Sequence, residues 1–244
     1  MPPDPLSPAL WACVVVGALA GLVRGYTGFG AALVLTPLLS VVVGTQEAAA
    51  TTILLTGLTS LQQVPGARRT ADWRTVVPLS IGALLTIPAG TWALAALDPA
   101  TMRRAVAVVV IGFSLLLASG WRYRGPTPPA ATVAVGMTSG VLTGAAGIGG
   151  PPVVIWTLAG TADAATARAT FILFFGVTLV AAVPPLVWAG LATADTAWRC
   201  AAMAPAFMGA TWAGGRLFKA VPDRLFRRAA LGVLFLSGAA ALLA

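Results

Sequence analysis

Gly21-Leu-Val-Arg-Gly-Tyr-Thr-Gly-Phe-Gly30 returns 119 residues later as Gly140-Val-Leu-Thr-Gly-Ala-Ala-Gly-Ile-Gly149. Gly21, Gly25, Gly28 and Gly30 each meet a glycine in the second copy, and one turn earlier Gly17 meets Gly136. The register holds further on, with Thr51 on Thr170, Gly57 on Gly176, Thr59 on Thr178 and Pro65 on Pro184. After a short insertion Trp73-Arg74 meets Trp198-Arg199, and Arg103-Arg104 meets Arg227-Arg228. Chance does not keep one register over so many glycines. The chain therefore divides into a first repeat over residues 1–120, a linker over 121–129 and a second repeat over 130–244. The linker carries Arg122, Arg124, Pro126, Pro128 and Pro129.

Composition supplies the solvent. Of 244 residues 58% are hydrophobic, 9% are charged and none is histidine. A soluble domain carries roughly 25% charged residues, and the mean hydropathy here is +0.91, so the chain belongs in a lipid bilayer. Without histidine there is no histidine-ligated haem, ordinary zinc site or Ser-His-Asp machinery. Cys13 and Cys200 are too few for a metal cluster and read as packing residues. No metal or cofactor is expected. The net charge of +8 would suggest nucleic acid in a soluble protein; here the arginines read as topology signals, and no nucleic-acid partner is expected.

Apolar stretches run over 8–23, 30–43, 48–64, 73–97 and 102–120, and again over 130–143, 149–159, 166–191, 198–218 and 225–244. Crossing the hydrocarbon core takes roughly 20 helical residues. The last three stretches of each repeat approach or exceed that length. The first two are shorter and joined by glycines, so they read as the arms of a short broken-helix hairpin or as two broken crossings. Either way each repeat crosses an odd number of times, and the second is predicted to be inverted. The expected fold is all-α and integral to the membrane: two inverted-topology repeats, each a short broken-helix hairpin plus three transmembrane helices. Such repeats commonly place a transported substrate near the midplane between them. With the amino terminus outside, 11 basic residues fall at cytoplasmic ends and three (Arg103, Arg104 and Arg199) outside, with Arg24 set aside. That satisfies the positive-inside rule.

Gly17, Gly21, Gly136 and Gly140 read as small faces for close helix packing. The stretches from Gly25 and from Gly144 resemble phosphate loops, but the strand and acidic residue of a dinucleotide site are absent. Their physics is different: after each break a new helix starts, with unpaired N–H groups that carry partial positive charge and suit an anion. Two readings of Arg24 stand. In a re-entrant hairpin it is deep and needs a partner or a bound anion; if both arms cross, it is a cytoplasmic anchor. Arg168 is either a topology arginine or an anion ligand, with Thr51 and Thr170 as nearby hydroxyl donors. The seven acids all lie in loops or at segment ends. An anionic substrate suits this better than a cation, and no carboxylate proton relay is visible.

These residues resemble the sulfite exporter TauE/SafE family of bacterial membrane transporters. The resemblance rests on 21–39, with its Gly-Phe-Gly and following Pro37, on 139–154, with its Gly-Ile-Gly-Gly-Pro run, and on Arg168-Ala-Thr-Phe171. It spans essentially the whole chain. It implies a multi-pass protein of the bacterial inner membrane that transports sulfite or an organosulfonate such as sulfoacetate. It points to Thr27, Gly28, Phe29 and Gly30, with Gly147, Ile148, Gly149 and Gly150, as substrate-binding residues, then to Arg168 and Thr170. Ala31 stands where many relatives continue a glycine or phenylalanine run. The expected partners are the small anion and the bilayer, and a homo-oligomer is compatible with the sequence. A passive anion channel, or a carrier of another small organic anion, fits the same fold. An enzyme does not, because neither cysteine has a base beside it in sequence.

Overall fold

A computed structural model describes residues 7–121, 123, 125–157 and 164–220, together with 232, 236, 239 and 240. Among them every regular element is helical: α1 (Pro8–Thr27), α2 (Ala31–Val43), α3 (Thr45–Ala67), α4 (Trp73–Ala96), α5 (Pro99–Ala118), α6 (Pro129–Ala146), α7 (Gly150–Thr157), α8 (Ala164–Ala181), α9 (Val183–Trp188) and α10 (Ala194–Ala220). Linker residues Arg122 and Arg124, and most of the expected last stretch over 225–244, lie outside the described residues.

The helix ends follow local chemistry. Ser7 accepts the Leu10 N–H at 3.3 Å ahead of Pro8 at the first position of α1. Asp72 accepts the Arg74 N–H at 3.1 Å to open α4. Pro128 and Pro129 open α6, where a missing N–H costs nothing. The expected stretch over 166–191 divides at Ala182, just before Pro184-Pro185, into α8 and α9. Residues Ala165–Trp188 still form one apolar run long enough to cross a membrane, and α1, α4, most of α5, and α6 are long enough as well. The first arm of each repeat is thus longer than its apolar stretch suggests: α1 runs through Arg24 to Thr27, at about 1.5 Å per residue. The second arms, α2 and α7, are the short ones, with 13 and 8 residues.

The exterior is apolar. Trp92 is 70% and Trp188 85% exposed, whereas Arg24 and many serines and threonines are buried. Several of those hydroxyls donate to the carbonyl four residues back, as Ser60 does to Thr56 at 2.8 Å and Thr178 to Phe174 at 2.8 Å. That arrangement suits lipid, in which each polar group must find a partner inside the protein.

Two long helix pairs frame the bundle, α1 along α10 and α4 along α6. Both depend on glycine. The α-hydrogen of Gly21 faces the backbone carbonyl of Phe207, and that of Gly25 faces the carbonyl of Thr211. In the other pair Gly136, Gly140 and Gly144 face the carbonyls of Leu79, Ala83 and Ile87. The approaches are reciprocal: Gly90 of α4 faces the Val141 carbonyl, and Gly214 of α10 faces the Leu22 carbonyl. Val141 and Leu22 are partners at the 119-residue offset. Between the pairs α3 and α8 pack on each other.

A side chain at these glycines drives one helix off the next. Gly21→Ala and Gly140→Ala should each lower unfolding stability in detergent by about 1–3 kcal/mol. A methyl group added at Gly209 would meet no atom within 4 Å. Gly209→Ala should therefore cost nothing, or gain up to about 1 kcal/mol.

Candidate functional site

Both glycine breaks are built as helix stops. Gly28 (φ 81°) ends α1 and Gly147 (φ 71°) ends α6, each in the left-handed region that glycine enters without strain. The Gly28 N–H returns to the Arg24 carbonyl at 2.7 Å, and the Gly147 N–H to the Thr143 carbonyl at 2.7 Å. The breaks are then tied down differently. At the first, the Thr27 hydroxyl lies 2.8 Å from the Val23 carbonyl and 2.5 Å from that of Phe29, and accepts the Phe29 N–H at 3.2 Å. At the second, Ser139 donates to the Gly149 carbonyl at 2.5 Å and Thr36 of α2 to the Ala146 carbonyl at 2.7 Å.

Between the breaks lies a cavity of about 20 Å³, room for roughly one water molecule. Its lining pairs residues at the 119-residue offset: Phe29 with Ile148, Ala31 with Gly150, Ala32 with Pro151, and Thr56 with Phe175. Arg24, Gly30, Leu33, Gly147 and Leu179 complete it. Thr56 is the twelfth of the 23 residues of α3, so the cavity sits at the middle of a membrane-length helix.

Arg24 is 3% exposed. The anchoring alternative needs a head at the surface, and this guanidinium is inside the bundle. Its Nη2 donates to Ser60 Oγ at 2.5 Å, and its Nε is buried with no hydrogen-bond partner. Among the described residues no carboxylate lines the cavity. Among the described residues the ion pair is Arg199 with Glu47, which joins α10 to α3 at the end where α2 meets α3. The first turn of α2, Ala31 to Leu33, also faces the cavity, so the start of that helix and the buried cation converge. The opposite helix start does not match it: Pro151 and Pro152 in the first turn of α7 have no N–H. Of the two equivalent N–H cradles expected at the breaks, the α7 side lacks two of its donors.

Of the expected site residues, Arg24, Phe29, Gly30, Gly147, Ile148 and Gly150 line the cavity. Thr27, Gly28 and Gly149 lie just behind it as parts of the breaks; a Cβ on Gly149 would collide with Thr143 Oγ1 and Ser139. Arg168, Thr51 and Thr170 are elsewhere. Arg168 Nη2 donates to the Gly25 carbonyl at 3.0 Å, and its Cγ covers Gly28. It thereby holds the negative end of α1, where helix carbonyls lack partners. Thr170 Oγ1 accepts the Asp72 N–H at 3.1 Å, which steadies the turn into α4. Thr51 is buried with its hydroxyl unpartnered, one to two turns from Thr56 on α3. Ser60, Phe175 and Leu179 belong to the site without any local motif to mark them. Their one signal is the offset itself, which sets Phe175 on Thr56 and Leu179 on Ser60.

These contacts tie Arg168 to the end of α1, outside the cavity lining. Arg168→Gln should lower unfolding stability by about 1.5–3 kcal/mol, the range for a hydrogen bond that involves a charged group. Anion affinity per folded molecule should change less than about twofold, or about 0.4 kcal/mol.

The family model described as "Sulfite exporter TauE/SafE" matches residues 13–241. No curated protein and no solved structure matches the chain. The match runs through both glycine breaks, the cavity between them and both long helix pairs, and the chain belongs to the sulfite exporter TauE/SafE family.

Proposed function

We propose that this protein carries a small sulfur-containing anion, sulfite or a small organosulfonate, outward across the bacterial inner membrane. The anion sits between the glycine breaks, at the first turn of α2 and beside Arg24, where the cavity, the size of one water molecule in this structure, opens to admit it. The observation that carries the reading is a buried guanidinium whose Nε, among the described residues, has no hydrogen-bond partner and shares its cavity with no carboxylate. A charge inside a membrane protein is costly and marks a site of function. A positively charged cavity with no acid selects an anion.

The two repeats are inverted in this reading, with the amino terminus outside, and they exchange access to the cavity by rocking about it. Three observations support this. The cavity lining pairs residues at the repeat offset. The α1–α10 and α4–α6 pairs exchange under the same correspondence. The basic residues favour one orientation. The membrane potential, negative inside, favours anion export without a coupling ion. A cavity of about 20 Å³ is too narrow for a continuously open anion pathway, which suits a carrier rather than a channel, and single-channel currents would contradict it.

Labelled sulfite efflux from proteoliposomes tests the reading. Arg24→Gln removes the buried charge while keeping a donor for Ser60. It should lose more than about 90% of flux, a deficit of about 1.4 kcal/mol or more. Its thermal stability should equal or exceed wild type, because no buried charge remains to be stabilised. Wild-type flux in a folded Arg24→Gln protein would remove the cavity from the mechanism.

A further inference from the structure

We infer that the cavity takes a single negative charge: its substrates are monoanions, hydrogensulfite or a sulfonate R–SO₃⁻ whose R group is uncharged, and dianions of similar size, sulfoacetate with its added carboxylate among them, are excluded. This rests on the transport reading above and adds a charge rule to it.

The rule follows from counting charges. Arg24 is the one charged residue that lines the cavity among the described residues. The charged side chains described on the elements packed around Arg24 are directed elsewhere. Glu47 of α3 is bound to Arg199 of α10, and Arg216 of α10 lies over the Trp212 ring at 3.6 Å. Asp195 is in the first turn of α10, at the far end of that helix from the segment that packs on Gly25. Arg168, from α8, is on the Gly25 carbonyl. A monoanion therefore brings the buried site to neutrality. A dianion leaves one net negative charge in a low-dielectric interior, which is strongly unfavourable.

The walls strengthen the rule. On the α1–α3 side the lining offers Arg24 and Thr56, with Ser60 behind Arg24. On the opposite side the offset partners are apolar: Phe175 stands for Thr56 and Leu179 for Ser60. Pro151 adds no N–H there. The half-charge at the start of α2 is on the same side as Arg24. A second anionic oxygen turned toward Phe175, Leu179 and Pro151 would meet no donor, whereas a protonated oxygen or a methyl group fits that surface. When sulfite is the cargo, the moving species is hydrogensulfite, so one proton and one negative charge cross together.

The test uses proteoliposomes of the full chain and a pair of sulfur oxyanions whose charges do not change with pH. Methanesulfonate, a monoanion, should compete with labelled sulfite at least about tenfold better than sulfate, a dianion. As pH rises through the deprotonation of hydrogensulfite at constant total sulfite, sulfite flux should fall with the hydrogensulfite fraction. Methanesulfonate flux should stay level over the same range, because no group that titrates there lines the cavity. Equal competition by sulfate, or sulfite flux that follows the dianion, would overturn the charge rule and leave transport standing. Absence of flux for every one of these anions at every pH would overturn the transport reading itself.

Discussion

An interrupted helix inside a membrane has to be covered by protein. In lipid, no water is available for freed N–H and C=O groups. Here α1 and α6 both stop at a left-handed glycine inside the bundle, and the packing around them supplies what lipid cannot. Thr27 and Arg168 answer for the first break, Ser139 and Thr36 for the second. The glycine faces that bring α10 against α1 and α4 against α6 hold these partners in reach. The cavity lies between the two breaks.

The two copies of the sequence pattern have diverged in a way that matters chemically. Where one has Arg24, Thr56 and Ser60, the other has Thr143, Phe175 and Leu179. Where α2 begins with Ala31-Ala32, α7 begins with Gly150-Pro151-Pro152. One side thus holds the charge and the N–H donors, and the other closes over them with rings and methyl groups. A symmetric cradle would carry two cations or none. The asymmetric one supplies a single charge and keeps the rest of the surroundings dry, which strengthens the one attraction it offers.

Much of the architecture is legible in the sequence because glycine and charge are rare and carry meaning in an apolar chain. The repeat, the breaks and the membrane setting follow from Gly28, Gly30, Gly147, Gly149 and the scarcity of acids. The depth of Arg24 is not legible. It depends on where α1 stops, and a glycine at position 25 looks like a stop, although that glycine is an interior contact for Thr211. The role of Arg168 is hidden for a different reason: its partner is a helix carbonyl 143 residues away, and no local pattern encodes that. Phe175 and Leu179 are hidden by their surroundings, since two apolar residues in an apolar helix stand out only beside their polar offset partners. Pro151 and Pro152 are visible but look like kinks, when their larger effect is on the hydrogen-bond donors facing the cavity.

The central claim is that the anion rests beside Arg24 at the start of α2, between the two breaks. A density map of the protein in a lipid nanodisc with hydrogensulfite measures this directly. The account predicts density for one anion within hydrogen-bond distance of Arg24 Nε and the Ala31–Ala32 N–H groups, enclosed by Ile148 and Phe175. Density for the anion at Arg168, or in the hollow by Glu47 and Gly190 with the Arg24 cavity empty, would contradict it.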